Sequence, residues 1–227
     1  MGFYDLCVRT GDLKNTLETA RNLGWQGLGI IIPYSVSYMR ELGELRENVK
    51  RLDTGMDAGF GVEINARNPV EVRKIARIIR KDAEIVAVRG GNPEVERAAL
   101  ETPEVDILVH NAYTRLNHVL AKLAARNGVA VGFVFSSVLL SYKRTRISVF
   151  SNMISNARLL RKYRSPVVLS SGSLSPWDLR SPSDLLAFGK LLGFQEDQAR
   201  NAMSDRMLKE NRKRLGKKWV MPGVEIE

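Results

Sequence analysis

Gly59-Phe60-Gly61-Val62-Glu63-Ile64-Asn65-Ala66-Arg67-Asn68-Pro69-Val70-Glu71 decides how this chain folds. Gly59 to Asn65 reads as a short strand. Asn68 then supplies a helix N-cap and Pro69 a first helical position where a missing N–H costs nothing. Glu71 stands at the third position, placed to reach back to the cap. A strand handed to a helix start across two residues is a βα unit, and the chain repeats it on both sides.

Upstream, Phe3 to Val8 reads as a strand, and Asp12 caps a helix whose Leu13, Leu17, Ala20 and Leu23 recur at helical spacing. Gly27 to Ile32 is a second strand, buried on both faces because its apolar run does not alternate. A helix rich in Glu and Arg follows, through about Leu52. Downstream, Glu84 to Val88 is the fourth strand, ending at Arg89-Gly90-Gly91, with Asn92-Pro93 opening the next helix. Asp106 to Val109 and a helix from Leu116 to Arg126 come next, then Val129 to Phe135 and a basic helix near Ile147 to Tyr163. Pro166 to Leu169 is the seventh strand. Its loop, Ser170 to Ser173, leads through Trp177-Asp178-Leu179-Arg180 into a helix capped by Ser181-Pro182-Ser183-Asp184 and ending near Gly193.

Residues 195–208 read as one further helix. Arg206 to Lys218 carries seven basic residues against Glu210 alone, so a basic, flexible tail is expected over residues 209–227. Seven strands, each followed by a helix, predict one α/β domain over residues 1–208, a TIM-like (β/α) barrel of seven or eight parallel staves. A doubly wound open sheet gives much the same string and is the alternative.

The 227 residues, 44% hydrophobic, suffice for a large core. Cys7 is the only cysteine, which excludes an intramolecular disulfide and fits a reducing compartment. Asp5 and Arg9 interrupt the place where a secretory signal needs an apolar run. The longest apolar run, Val129 to Leu140, is broken by Ser136 and Ser137 and is too short to span a bilayer. The expectation is a soluble, cytoplasmic protein without a membrane partner.

Charge is the sharpest signal. The chain has 35 basic and 25 acidic residues, a net +10. Ile107 to Trp177 holds no Asp or Glu but ten cations: Arg115, Lys122, Arg126, Lys143, Arg144, Arg146, Arg158, Arg161, Lys162 and Arg164. The rest of the chain balances at 25 against 25, so the whole excess lives in this stretch, which also holds His110 and His118. An acid-free run across several structural elements predicts a polyanion-binding face, against the alternative of a solvated basic helix or two.

Catalytic constellations are sparse. The strand ends, where a barrel keeps its chemistry, offer Cys7, Arg9, Pro33, Tyr34, Glu63, Asn65, Arg89, His110, Asn111 and serines 136, 137, 170, 171 and 173. A hydrolytic metal centre needs several converging His, Asp or Glu; only Glu63 and His110 qualify, with Asp5 further back on its strand. The serines have no histidine in sequence reach for a triad. Cys7 reads as a small core residue and Gly90-Gly91 as a tight turn. No catalytic residue and no metal ligand is expected.

Four segments carry a resemblance: Phe3-Tyr4-Asp5-Leu6, Gly61-Val62-Glu63-Ile64-Asn65, the run from Asn117-His118-Val119-Leu120-Ala121 to Asn127, and Trp177-Asp178-Leu179-Arg180-Ser181-Pro182. Over most of residues 1 to about 208 the chain resembles the archaeal ribonuclease P protein component 3 family, counterpart of the eukaryotic thirty-kilodalton subunit. That family is similar in turn to the polymerase-and-histidinol-phosphatase barrels, which are metal-dependent phosphoesterases. Where those carry a His-x-His pair and a late Asp and His, this chain has Cys7 with Arg9 and the Ser170 to Ser173 run.

The resemblance therefore implies a barrel without its metals. It implies a subunit that binds the catalytic RNA of ribonuclease P and helps it remove the 5′ leader of precursor tRNA, with magnesium held by the RNA. The implied protein partner is the Pop-five-like ribonuclease P component 2. Under that reading the RNA contacts are Arg89, Arg115, His118, Lys122, Arg126, Lys143, Arg144, Arg146 and Arg180, with Trp177 beside Arg180 placed for a stacked base. An ion pair with Asp178 is the plainer role for Arg180. The competing reading is a metal-dependent phosphoesterase using Glu63, His110 and Asp5. A third is a phosphate-binding isomerase with Glu63 as base.

Overall fold

Seven parallel strands run in chain order around a nearly closed barrel: β1 (Tyr4–Val8), β2 (Gly27–Pro33), β3 (Asp57–Ile64), β4 (Ile85–Arg89), β5 (Ile107–Val109), β6 (Ala130–Val134) and β7 (Val167–Ser170). The computed structural model describes residues 2–216 and, past them, the pairing of two short strands, β8 (Trp219–Met221) and β9 (Val224–Glu225). The returning helices are α1 (Leu13–Asn22), α2 (Tyr38–Leu52), α3 (Pro69–Ile79), α4 (Pro93–Glu101), α5 (His118–Asn127), the four-residue α6 (Ser136–Leu139), α7 (Lys143–Tyr163) and α8 (Pro182–Leu191). Side chains of Asp12, Asn68, Asn92 and Asn117 accept from the first-turn N–H groups of α1, α3, α4 and α5, and Ser181 with Asp184 closes a capping box on α8. Among the described residues no helix is long and apolar enough to cross a membrane.

The period-2 pleat sorts each strand's side chains between two cores. Phe60, Val62 and Ile64 of β3 face the helices, as do Leu28 and Ile30 of β2 and Val86 and Val88 of β4. Leu6, Ile31, Ile85, Ala87, Ile107, Ala130, Val134 and Val168 fill the barrel interior. The glycines of the Gly-Phe-Gly run belong to that interior and make room for it. A Cβ on Gly61 would lie 2.7 Å from Ile85 Cβ, and one on Gly59 would lie 2.4 Å from Leu208 Cδ2. The same parity aims Glu63 and Arg89, the last inward positions of β3 and β4, into the barrel mouth.

Residues 195–208 do not make one helix. They divide into α9 (Glu196–Asn201) and the start of α10 (Arg206–Leu215), and the turn between them enters the seam between β7 and β1. There Tyr4 N donates to Met203 O at 2.7 Å and Leu169 N to Ala202 O at 3.0 Å. The turn thus satisfies backbone groups that an eighth stave would take.

The flexible tail expected from residue 209 is helical through Leu215. Leu208 plugs the barrel floor, and Arg212 donates to both oxygens of Asp57 (2.7 and 2.9 Å) and to Glu84 Oε2 (3.1 Å). These carboxylates stand far upstream, in β3 and just before β4, which is why local composition suggested an unpaired tail. The expectation for residues 217–227 falls largely outside the described residues. Elsewhere α6 is an unforeseen turn of helix, and α7 begins at Lys143, four residues before Ile147.

Candidate nucleic-acid interface

At the barrel mouth one carboxylate serves two guanidiniums. Glu63 Oε2 accepts from Arg89 Nη2 at 2.7 Å, Arg89 Nε at 3.2 Å and Arg9 Nη1 at 3.3 Å. Glu63 is buried, while the Arg9 and Arg89 side chains are 31% and 42% exposed, so the mouth shows positive charge to solvent. The cavity behind them, lined by Cys7, Ile31, Val109, Val134 and Gly172, measures only about 10 Å³. That is room for one water at most and none for a metabolite, which removes the isomerase reading.

The phosphoesterase reading fails on its donors. His110 Nδ1 lies 3.0 Å from Glu96 Oε1 and its Nε2 faces Thr114 O at 3.3 Å, a hydrogen-bonded strand-end histidine. Asp5, fully buried in the seam, accepts from the Ser170 hydroxyl and from Ser171 N (3.1 Å). Burial pushes the Cys7 thiol far up, with the Asp5 and Glu63 charges adding to it, so it offers no thiolate. Glu63 is taken by two cations that would repel a third. Glu63, His110 and Asp5 therefore serve three separate local networks, and among the described residues no group of three His, Cys, Asp or Glu converges on a point. The donor set does not fit the metals that the phosphoesterase barrels would imply.

Burial also lifts the Asp5 carboxyl above its ordinary value, against the pull of the Ser170 and Ser171 donors. A folded-state pKa above the unfolded one means the native chain holds its proton longer. The stabilising contribution is then present below the unfolded value, about 3.9, and is lost as the pH rises through the folded one. Asp5→Asn keeps an acceptor for Ser170 without the titration. In urea melts its stability relative to wild type should improve as the pH rises through the acid range. A constant difference across that range would refute this role for Asp5.

The acid-free run forms one flank. Asn152 and Asn156 of α7 dock the loop before α5: Arg115 Nε donates to Asn152 Oδ1 at 3.0 Å and Leu116 N to Asn156 Oδ1 at 2.8 Å. Lys122 of α5 and Lys162 of α7 lie 5.5 and 5.6 Å from the same ring, Tyr163. Arg115, His118, Lys122, Arg126, Lys143, Arg144 and Arg146 are all exposed. Among the described residues none of the run's ten Lys and Arg pairs with a carboxylate within 4 Å. Elsewhere Arg40, Arg73, Arg97, Lys190, Arg200, Arg206 and Lys209 do.

The start of α7 deepens this excess. Lys143, Arg144 and Arg146 crowd its first turn, no acid accompanies them, and Tyr142 at the cap position makes no side-chain capping bond. Cations at a helix N-terminus oppose its dipole by a few tenths of a kcal/mol each, a cost that a neighbouring phosphate would reverse. Arg146 is partly committed already, with Nε donating to Ser141 O at 2.7 Å and its guanidinium 5.6 Å from the Tyr142 ring centroid.

Arg89 and Arg180 stand apart from that flank, at the carboxyl ends of β4 and β7. Arg180 does not pair with Asp178. Its guanidinium lies over Phe135, 5.5 Å from the centroid, and Nη1 donates to Trp177 O (3.1 Å) and Leu179 O (2.7 Å). Asp178 instead accepts from Leu174 N and the Ser175 hydroxyl, which fixes the turn.

Sequence reasoning missed one surface. Val138, Ile147, Phe150 and Ile154 line an apolar groove of about 690 Å³ edged by Lys143 and Arg146, with Leu140 and Tyr142 also exposed nearby in the chain. The apolar run ending at Leu140 carries no mark of where α6 turns outward.

The family model described as RNase P subunit p30 matches residues 2–215. Ribonuclease P protein component 3 of Methanosarcina mazei is 36% identical, covering 99% of this chain and 95% of its own length. The protein of the same description from Methanothermobacter thermautotrophicus is 34% identical, over 90% and 86%. Among solved structures, a chain in the cryo-EM structure of archaeal ribonuclease P with mature tRNA superposes with a TM-score of 0.85 at 24% identity, covering 98% of this chain and 97% of that one. A histidinol phosphate phosphatase from Lactococcus lactis, complexed with zinc, L-histidinol and phosphate, gives 0.52 at 9% identity, over 92% and 94%. These two are likenesses of fold.

Proposed function

From the premise that this chain belongs to the RNase P subunit p30 family, a protein component of the tRNA-processing endoribonuclease ribonuclease P, we propose that it acts by gripping RNA and carries out no bond cleavage itself. The observation that carries this reading is the acid-free run on and beside α5 and α7, where ten cations, nine of them exposed, lack a carboxylate partner among the described residues. Lys and Arg that are not neutralised within the protein are available to phosphates, and their binding releases condensed counterions.

The contacts we assign are Arg115, His118, Lys122, Arg126, Lys143, Arg144 and Arg146 on that flank, with Arg180 and the exposed part of Arg89 at the mouth. The RNA partners are the catalytic RNA and, with it, precursor tRNA. The magnesium that serves cleavage belongs to the RNA, in keeping with a barrel mouth that turns positive charge to solvent. The Pop-five-like component is the protein partner we assign, and the cytoplasm, where tRNA precursors are processed, is the compartment.

The experiment is reconstitution. Catalytic RNA and the other protein components are mixed with and without this chain, and leader removal from a precursor tRNA is followed at limiting magnesium. Cleavage should fall markedly when the chain is omitted and return on its addition. Equal rates with and without it would defeat the proposal.

A further inference from the structure

Trp177 is 88% exposed, yet the turn that carries it is rigidly built. Pro176–Asp178 is a single 3-10 turn, and Asp178 Oδ2 holds Leu174 N at 3.2 Å and the Ser175 hydroxyl at 2.9 Å. Arg180 reaches back to the Trp177 carbonyl, and the buried Leu179 anchors the segment on the core. The Arg180 carbonyl is itself fixed by the Trp25 indole N–H at 2.8 Å. An indole left in water forgoes the burial that large aromatic side chains usually contribute to folding, so its presentation on a braced turn is not explained by the stability of the barrel. The flexible-loop explanation fails as well, because the residues around it are tied down.

The cation beside it is equally constrained. Arg180 spends Nη1 on two carbonyls and lies over Phe135, while Nε and Nη2 meet no protein acceptor among the described residues. An aromatic face and a guanidinium edge three residues apart, on one braced turn at a cationic barrel mouth, have the parts needed for a nucleotide. The ring takes a base and the cation its phosphate. A helical RNA duplex keeps its bases stacked inside and offers no free face.

We propose that the turn of Trp177 to Arg180 is a binding corner for one unpaired nucleotide of RNA, its base stacked on the Trp177 indole and its phosphate on Arg180. The proposal rests on the ribonuclease P reading and narrows it from phosphate binding in general to a single-stranded element. Stacking and counterion release leave different signatures. A base stacked on an aromatic ring carries no ions with it. Removing Trp177 therefore lowers affinity at every salt concentration by the same factor, whereas removing a flank cation changes the slope.

The test uses the full chain and its catalytic RNA, alongside a single-stranded oligonucleotide and a blunt duplex of the same composition. Trp177→Ala should weaken binding to the RNA and the single strand by roughly 5- to 100-fold with the log–log salt slope unchanged, and leave the duplex untouched. Trp177→Phe should recover most of the loss and Trp177→Leu little of it. Wild-type fluorescence should be quenched by the single strand, and the quenching should disappear in Trp177→Ala. Equal affinities for wild type and Trp177→Ala, or rescue by leucine as full as by phenylalanine, would overturn the corner. The same holds if the alanine variant binds RNA normally but fails to assemble with its protein partner, since the indole would then be a protein contact. Failure of wild type to bind any RNA would strike the ribonuclease P reading instead, so the two failures are distinguishable.

Discussion

Replacing Arg144 and Arg146 together with alanine flattens the salt dependence of RNA binding while the fold stays intact. Both side chains are exposed at the start of α7, neither pairs with a carboxylate, and removing them relieves like charges at a helix N-terminus. Each phosphate that is no longer neutralised takes roughly 0.7 to 0.9 off the slope of log K against log salt, so two take off about 1.4 to 1.8. Between roughly 50 and 200 mM salt the ratio of wild-type to variant affinity should then shrink by about 7- to 12-fold. Lys122→Ala with Arg126→Ala provides the second arm. The two are four residues apart on α5, both exposed, so they lie on one outer stripe and should remove a comparable share. An unchanged slope in both double variants would mean that the flank is merely solvated and that RNA is held elsewhere.

The flank was readable in the sequence because charge adds up without regard to geometry: a run with no acid cannot neutralise its own cations, however it folds. The barrel was readable for a related reason. Its strands are short, mostly apolar runs, and its helices open on Asp12, Asn68, Asn92, Asn117 and Ser181, caps that act locally. The separation of Glu63, His110 and Asp5 was only partly readable. Their scarcity argued against a metal centre, but the guanidiniums on Glu63 come from β4 and the end of β1, which only the strand order and inward parity of the sheet place beside it.

What stayed hidden depends on partners distant in the chain. The turn that fills the β7–β1 seam does so with backbone groups of Ala202 and Met203, which leave no mark on composition. Helix α10 looked like a solvated tail because the acids that pair with Arg212 are Asp57 and Glu84. Its buried side chains, Leu208 and Asn211, are one turn apart, too few to register as a periodic pattern. Trp177 and Arg180 were recognisable as a suggestive pair, but the bracing that makes them a platform required Phe135, Trp25 and Asp178 in place.

The largest loss of stability should follow from Arg80→Ala. Arg80 stands at the end of α3 beneath the barrel, its side chain 9% exposed, and its guanidinium gathers the amino ends of two neighbouring strands. Nη1 donates to Asp106 Oδ2 and to Glu104 O, while Nη2 donates to Ala83 O at 2.6 Å and Glu84 O at 3.2 Å. Asp106 meanwhile accepts from Val86 N at 2.7 Å and from Asn211 of α10 at 2.9 Å, so strand, helix and floor share one carboxylate. Removing the cation takes the closest counter-charge from that buried carboxylate, which keeps only its neutral donors, and takes the guanidinium from Ala83 O and Glu104 O, which costs about 3 to 5 kcal/mol.

One neighbour limits the damage. Arg214 Nη2 lies 3.6 Å from Asp106 Oδ1, and its own cation is disfavoured by burial and by Arg80. With Arg80 gone that repulsion ends and Arg214 approaches Asp106 more closely, which sets the expectation at the lower end of the range. Arg80→Lys keeps the charge but not the fork and should fall between alanine and wild type. Equilibrium urea unfolding at neutral pH reads all three, and a destabilisation by alanine below about 1 kcal/mol, the scale of an exposed pair, would show that the floor does not rest on this one. Because Arg80 is buried beneath the barrel, Arg80→Ala should bind RNA as wild type does once its folded fraction is accounted for. A scaffold variant and a flank variant therefore fail in opposite assays, and that opposition distinguishes a barrel that merely carries an RNA-binding face from one whose packing tunes it.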